Sequence, residues 1–265
     1  MNLRLFLLSA LALLPVLSRA QGTVDPMQYD FDTRTSVAVD KELATGFHLL
    51  AEYQLRTEHS FAKIDRHQLK FDLTYDFNQW VQAGITYTFI DRYGKEIGFE
   101  PRHRLALHVT GALYAGAWRF SLKETLRATH KTREYNWYQQ VKNPVELKSR
   151  LMVQYQGFPK LEPYAFVELR AILNNPDFTA TYDAATKTYS GYQFLGYKYA
   201  YLNRYRGALG LVWNITPKHA LDFYCLLDYH YNRDIDTNKA GTMLESVTWS
   251  QMLITTVGIG YTFKF

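Results

Sequence analysis

The strongest constraint on this chain is an alternation of apolar and polar residues over stretches too long for an ordinary soluble strand. In LKFDLTYDF, Leu69, Phe71, Leu73, Tyr75 and Phe77 share one face; Lys70, Asp72, Thr74 and Asp76 share the other. Residues two apart lie on the same side of a strand. The dipeptide Asn78-Gln79 interrupts the pattern. WVQAGITYTFI then resumes it, with Val81, Ala83, Ile85, Tyr87 and Phe89 opposite Gln82, Gly84, Thr86 and Thr88. Two such runs on a short polar turn read as a hairpin. Strands of soluble sheets are mostly about 5–6 residues long, whereas a tilted strand crossing lipid needs about 9–11. The second run has eleven residues. A soluble β-sandwich also alternates and is the competing fold, but it rarely sustains strands of this length.

The pattern recurs along the chain. Val37 and Val39 belong to one strand, and Ala44-Thr45-Gly46 turns into the next. Further short turns fall near Ala115-Gly116, at Gly157-Phe158-Pro159-Lys160 and at Thr216-Pro217-Lys218. Longer connections fall at about 57–65, 91–102, 130–146, 173–198 and 232–246. Short turns at one end and long loops at the other are the asymmetry of outer-membrane barrels. The expected fold is therefore all-β: an antiparallel transmembrane up-and-down β-barrel of about twelve strands, with ten also compatible. Eleven strands are clear. Bacterial barrels usually have an even number, so a further strand is expected within residues 21–32 or inside the 173–198 connection. The remaining option is that the N-terminal segment threads the lumen.

The two ends fit export to such a membrane. MNLRLFLLSALALLPVLSRA carries one cation, an apolar run and the small-x-small site Ser18-Arg19-Ala20, the layout of a cleaved secretory signal. The expected organisation is a signal peptide over residues 1–20 and a barrel over 21–265. Removing Arg4 and Arg19 lowers the formal charge from +5 to +3. That weak charge, without a basic run, gives no reason to expect nucleic acid. The single cysteine, Cys225, leaves no intrachain disulfide. At the other end, GIGYTFKF places Tyr261, Phe263 and Phe265 on one face, with Gly258 and Gly260 inward. A terminal aromatic after an alternating strand resembles the signal read by the outer-membrane assembly machinery of Gram-negative bacteria. The expected surroundings are accordingly outer-membrane lipids and lipopolysaccharide, with assembly guided by the strand ending at Phe265.

Charge assigns the faces, because a cation facing lipid at the midplane costs about 2–4 kcal/mol. The inward set is Glu52, Arg56, Lys70, Asp72, Arg104, Arg119, Lys123, Arg127, Arg150, Glu168, Arg170, Arg204, Arg206 and Asp228, with Lys148 and His230 beside them. Cations modestly outnumber carboxylates. Rings of Arg and Lys favour anions, so one reading is a small anion-leaning passage. The plainer reading is a network of ion pairs filling a narrow barrel. Glu124 breaks the rule by sharing a face with Phe120, Leu122 and Leu126. A β-bulge is the reading favoured for it, ahead of a membrane-boundary position or a contact with a partner.

Several stretches resemble a family of outer-membrane barrels known as domain of unknown function 2490. They are DRHQLKFDLTYDFNQWVQAGITYTFI, EPRHRLALHV, RFSLKETLRA and PYAFVE. The resemblance implies the fold and the location, and no activity. An envelope enzyme is the rival class. His103, His108 and His230 lie nearest to suitable positions, and Ser246 and Ser250 are nucleophiles within conceivable reach of His230. Nucleophilic catalysis needs a base in hydrogen-bond contact with its nucleophile, and nothing in the spacing supplies one, so no catalytic residue is assigned. No cofactor or metal set is expected: His59, His67, His103, His130 and His219 are scattered. The aromatic and basic segments 129–143 and 173–198 are candidate recognition loops, or strand extensions above the membrane.

Overall fold

A computed structural model describes residues 22–59, 61–94 and 98–265. The expected signal peptide lies outside the described residues. The elements in chain order are β1 (Thr23–Val24), β2 (Gln28–Ala44), β3 (Phe47–Glu58), β4 (Lys63–Asn78), β5 (Val81–Gly94) and β6 (Gly98–Ala115). They continue with β7 (Trp118–Lys131), β8 (Val145–Tyr155), β9 (Leu161–Asp183), β10 (Thr188–Thr216), β11 (His219–Thr237) and β12 (Leu244–Lys264). Each strand from β2 onward pairs antiparallel with the next, and β12 pairs with β2 to close the wall. The protein is a closed all-β barrel. Closure removes the free edges that an open sheet would expose.

Among the described residues twelve strands share the sheet, and eleven of them make the closed wall. The twelfth, β1, lies in the expected N-terminal stretch and adds no pass across the wall. Thr23 and Val24 pair with Thr248 and Trp249, and Gln28 then pairs with Met252. The chain spends one residue more than β12 over this step, across Pro26, which has no N–H to donate. β1 is thus the broken start of β2. With an odd wall, β2 and β12 run parallel, in register from Met252 opposite Gln28 to Lys264 opposite Asp40. The chain therefore enters the wall at the long-loop end and leaves it at the short-turn end.

The outer face is apolar. Leu107, Val109, Val167, Leu209 and Leu227 are each more than half exposed, the arrangement of a barrel that crosses lipid. Aromatic clusters border this band near the short turns: Phe47 with Tyr75, Tyr75 with Phe77, Trp118 with Tyr155 and Tyr155 with Phe158. The final residues complete the girdle. Phe263 stacks on Phe265, Phe265 N–H donates to the Asp40 carbonyl at 3.0 Å, and Lys41 Nζ sits 4.7 Å from the Phe265 ring centre.

Two expectations need correction. The 173–198 connection is not a loop. β9 and β10 run on as a hairpin to a turn at 184–187, far beyond the length that a bilayer needs. Both faces of this extension are polar and aromatic, because no lipid enforces alternation there. Its Phe178 packs with Ile235, Leu244 and Val247 into a small core of its own. Second, Glu124 is not at a bulge. The ladders on both sides of it run without a shift, placing it opposite Val109 and Ser149. It faces outward, half-buried, and Ser149 Oγ donates to its carboxylate at 2.6 Å. The serine supplies a local partner that alternation alone does not reveal.

Inside, two tyrosines lie flat across glycines. A Cβ on Gly258 would fall 2.1 Å from the Tyr224 ring, and one on Gly210 would fall 2.2 Å from the Tyr164 ring. Both are direct cross-strand neighbours. Gly258→Ala should displace Tyr224 and destabilise the barrel by about 1–3 kcal/mol. Denaturant unfolding in detergent measures this, and adding Tyr224→Ala should remove most of the penalty.

Candidate binding lumen

Alternation turns one side chain in two toward the barrel axis, so the interior is built from the polar half of every strand. A cavity of about 1160 Å³ occupies the long-loop half. A separate one of about 290 Å³, bounded by Asp40, His48, Asp72 and Asp76 among others, lies toward the short turns. The interior is thus electrostatically polar: arginines crowd the large cavity and carboxylates the small one.

The sequence-derived set divides by position. Glu52, Arg56, Lys70, Arg104, Arg127, Arg150, Arg170, Arg204 and Arg206 line the large cavity. Asp72 lines the small one. Glu168 and Asp228 are buried in the wall layer, about 1% exposed, as anchors for the cations around them. Arg119 and Lys123 line neither cavity; Arg119 reaches Gln154 at 3.3 Å.

The buried carboxylates organise a cross-strand bar. Arg150, Glu168, Arg206 and Asp228 are successive register partners on β8 to β11, so the row alternates in sign. Glu168 accepts from Arg150 Nη2 at 2.6 Å and Arg206 Nη1 at 3.1 Å, and pairs with Lys148 at 3.1 Å. Asp228 pairs with Arg206 at 2.7 Å, Arg204 at 3.4 Å and His230 at 3.1 Å. A second anchor is Glu146, bound by Arg127 and, at 3.3 Å, by Arg170. Lys70 pairs with Glu52 across β3 and β4. Buried charges persist when paired and hydrogen-bonded, and the arginines of this network also form part of the wall of the large cavity.

The mouth is narrowed from above. The 132–144 loop leaves β7 and reaches across to the far rim. Asn136 Nδ2 donates to Thr237 Oγ1 at 3.2 Å, and Gln139 Nε2 to the Thr237 carbonyl at 3.0 Å. Tyr197 hydroxyl donates to the Trp137 carbonyl at 2.8 Å, and Tyr138 meets Phe194 edge-on. Gln139, Gln140, Val141 and Pro144 of this loop form part of the cavity wall.

The candidate catalytic pairs are not assembled. His230 is held by Asp228 and by Arg204 Nη2 at 3.0 Å. Ser250 donates instead to Asp234 at 2.8 Å, and Ser246 to Asp236 at 2.9 Å. His103 is on the outer side, bonded to Tyr87 at 2.8 Å. His108 is buried inside, 3.6 Å from Asp72. Among the described residues no group of three His, Cys, Asp or Glu side chains is placed to hold a metal.

Sequence reasoning missed Arg34, Arg66, Arg92 and Arg102, all of which line the large cavity. Arg34 was legible: extending the Val37–Val39 alternation backward puts Ser36 and Arg34 on the inner face. Arg92 and Arg102 fell in a stretch taken for a loop, whereas β5 runs on to Gly94 and β6 begins at Gly98.

The family model described as "Protein of unknown function (DUF2490)" matches residues 32–239. No curated protein matches the chain. Among solved structures, "NanC porin structure in rhombohedral crystal form" aligns at 14% identity and a TM-score of 0.44, over 88% of this chain and 99% of that one.

Removing one anchor of the bar leaves a buried guanidinium without its counter-charge. Asp228→Asn should therefore lower stability by about 3–5 kcal/mol, read as a loss of heat-resistant compact mobility on gels. A conservative change at the exposed turn residue Lys218 should have no such effect.

Proposed function

The chain belongs to the DUF2490 family, and we propose that it is an integral protein of the Gram-negative outer membrane whose charged lumen passes small anionic solutes. It would be exported with a signal peptide cleaved near Ala20. Lipid and lipopolysaccharide would surround the apolar band, and the assembly machinery would engage the strand ending at Phe265. One observation carries the functional part: the large cavity is lined by more guanidinium groups than its carboxylates neutralise. An interior field of one sign concentrates ions of the other. The ion-pair bar and the 132–144 loop make the passage narrow, so it is a low-conductance path rather than an open pore.

Planar-bilayer recording across a salt gradient tests this. The expected result is small steps whose reversal potential favours anions. Replacing Asn136 and Gln139 by Ala, which frees the loop from Thr237, should raise the conductance and leave the anion bias. Cation-biased steps would overturn the reading. Silence from folded protein would leave the ion pairs as filler only. Deleting Phe265 should separately lower the fraction of protein assembled in the outer membrane, measured by heat-modifiable mobility of membrane fractions.

A further inference from the structure

The alternating bar on β8 to β11 has a counterpart across the lumen that does not alternate. Arg34, Arg56, Arg66 and Arg92 are successive register partners on β2, β3, β4 and β5. Neighbouring strands are only about 4.8 Å apart, and like charges directly opposite destabilise a sheet. Four consecutive arginines need negative charge close by.

Half of the row has it. Asp65 takes Arg66 Nε at 2.5 Å and lies 3.5 Å from Arg92 Nε. The other half is offset far less. Arg56 donates only to neutral amides, Gln54 at 2.6 Å and Gln68 at 3.3 Å. Arg34 is about nine-tenths buried, its Nε has no partner, and its nearest carboxylate is Asp228 at 3.9 Å. That carboxylate already serves Arg204, Arg206 and His230. Asp32, two residues before Arg34, forms no ion pair with it, and Asp32 Oδ1 is itself unpartnered. Arg34 and Arg56 thus present two adjacent, incompletely satisfied guanidiniums on the wall of the large cavity.

We propose that Arg34 and Arg56 form a binding site for a small oxyanion, a phosphoryl or carboxylate group on a solute entering the lumen. Two neighbouring guanidinium forks match the planar or tetrahedral oxygens of such groups, which one spherical halide cannot bridge equally well. The site deepens the anion-leaning reading above. Binding at equilibrium nevertheless needs no conduction, so the two stand or fall separately. The same oxygens are present on free phosphate and on lipopolysaccharide phosphates at the mouth, and the test separates these sources.

The test uses the full mature chain, refolded in lipopolysaccharide-free detergent, with inorganic phosphate as the probe. Thermal unfolding and calorimetry should show stabilisation and saturable binding by phosphate beyond that of chloride at equal ionic strength. Arg56→Gln should weaken phosphate binding roughly tenfold or more. The same change relieves like-charge repulsion, so without phosphate it should raise the unfolding temperature. A merely structural arginine would give the opposite sign. If lipopolysaccharide stabilises the protein, phosphate does not, and Arg56→Gln abolishes the effect, the oxyanion comes from lipid. Equal effects of phosphate and chloride on the unmodified chain, with no stabilisation by lipopolysaccharide, would overturn the site even if no variant folded. So would unchanged phosphate affinity in folded Arg56→Gln.

Discussion

Everything in this molecule depends on the seam where β12 meets β2. Hydrocarbon offers no hydrogen bonds, so a sheet crossing it must satisfy its own backbone all the way round. Ten antiparallel contacts are between neighbours in sequence, and most are joined by short connections. The eleventh joins the two ends of the wall and runs parallel. An odd strand number forces that direction, and the register is long enough to leave no open edge. The N-terminal break at Pro26 and the C-terminal aromatics lie at opposite ends of this one contact.

Closure divides the side chains into two solvents. The outer half meets lipid and is apolar. The inner half is polar by default, and a barrel of this width leaves those groups too crowded to hydrate freely. The interior therefore solves its charge problem side by side. On β8 to β11 the register alternates sign and the charges cancel. On β2 to β5 it repeats one sign, offset closely by Asp65 at one end and only distantly by Asp228 at the other. Both rows border the large cavity, the alternating one through Arg150 and Arg206 and the like-signed one through all four of its arginines. The carboxylates around the small cavity give the interior a direction, attractive to anions at the loop end and less so at the turn end.

Alternation made most of this legible from residues alone. Strand identity, inward and outward faces, short and long connections and the closing aromatic strand all follow from a period of two. The limits were equally physical. Strand ends above the membrane lose the lipid-imposed pattern, so the β9–β10 extension and the loop-side ends of β5 and β6 looked like loops. Arg92 and Arg102 were hidden with them. Register is invisible to periodicity, so neither the alternating bar nor the arginine row was foreseeable, although Arg56, Arg150 and Arg206 were singled out individually. Glu124 shows a related failure: alternation put it on the apolar face, the favoured bulge would have re-aimed it, and the partner that holds it there, Ser149, lies on another strand. The 132–144 loop's reach to Thr237 spans about a hundred residues of sequence, beyond any local signal.

The closed eleven-strand wall is the claim on which the rest stands, and cross-strand disulfide trapping tests it most directly. With Cys225 replaced by Ala, cysteines at Thr35 and Ile259 should oxidise to a linked species in the folded protein, because these residues are register partners on β2 and β12. Cysteines at Thr35 and Tyr261, offset by two, should link far less. Efficient linking of the offset pair, or of neither pair in protein that is demonstrably folded, would contradict the parallel seam and the strand count with it.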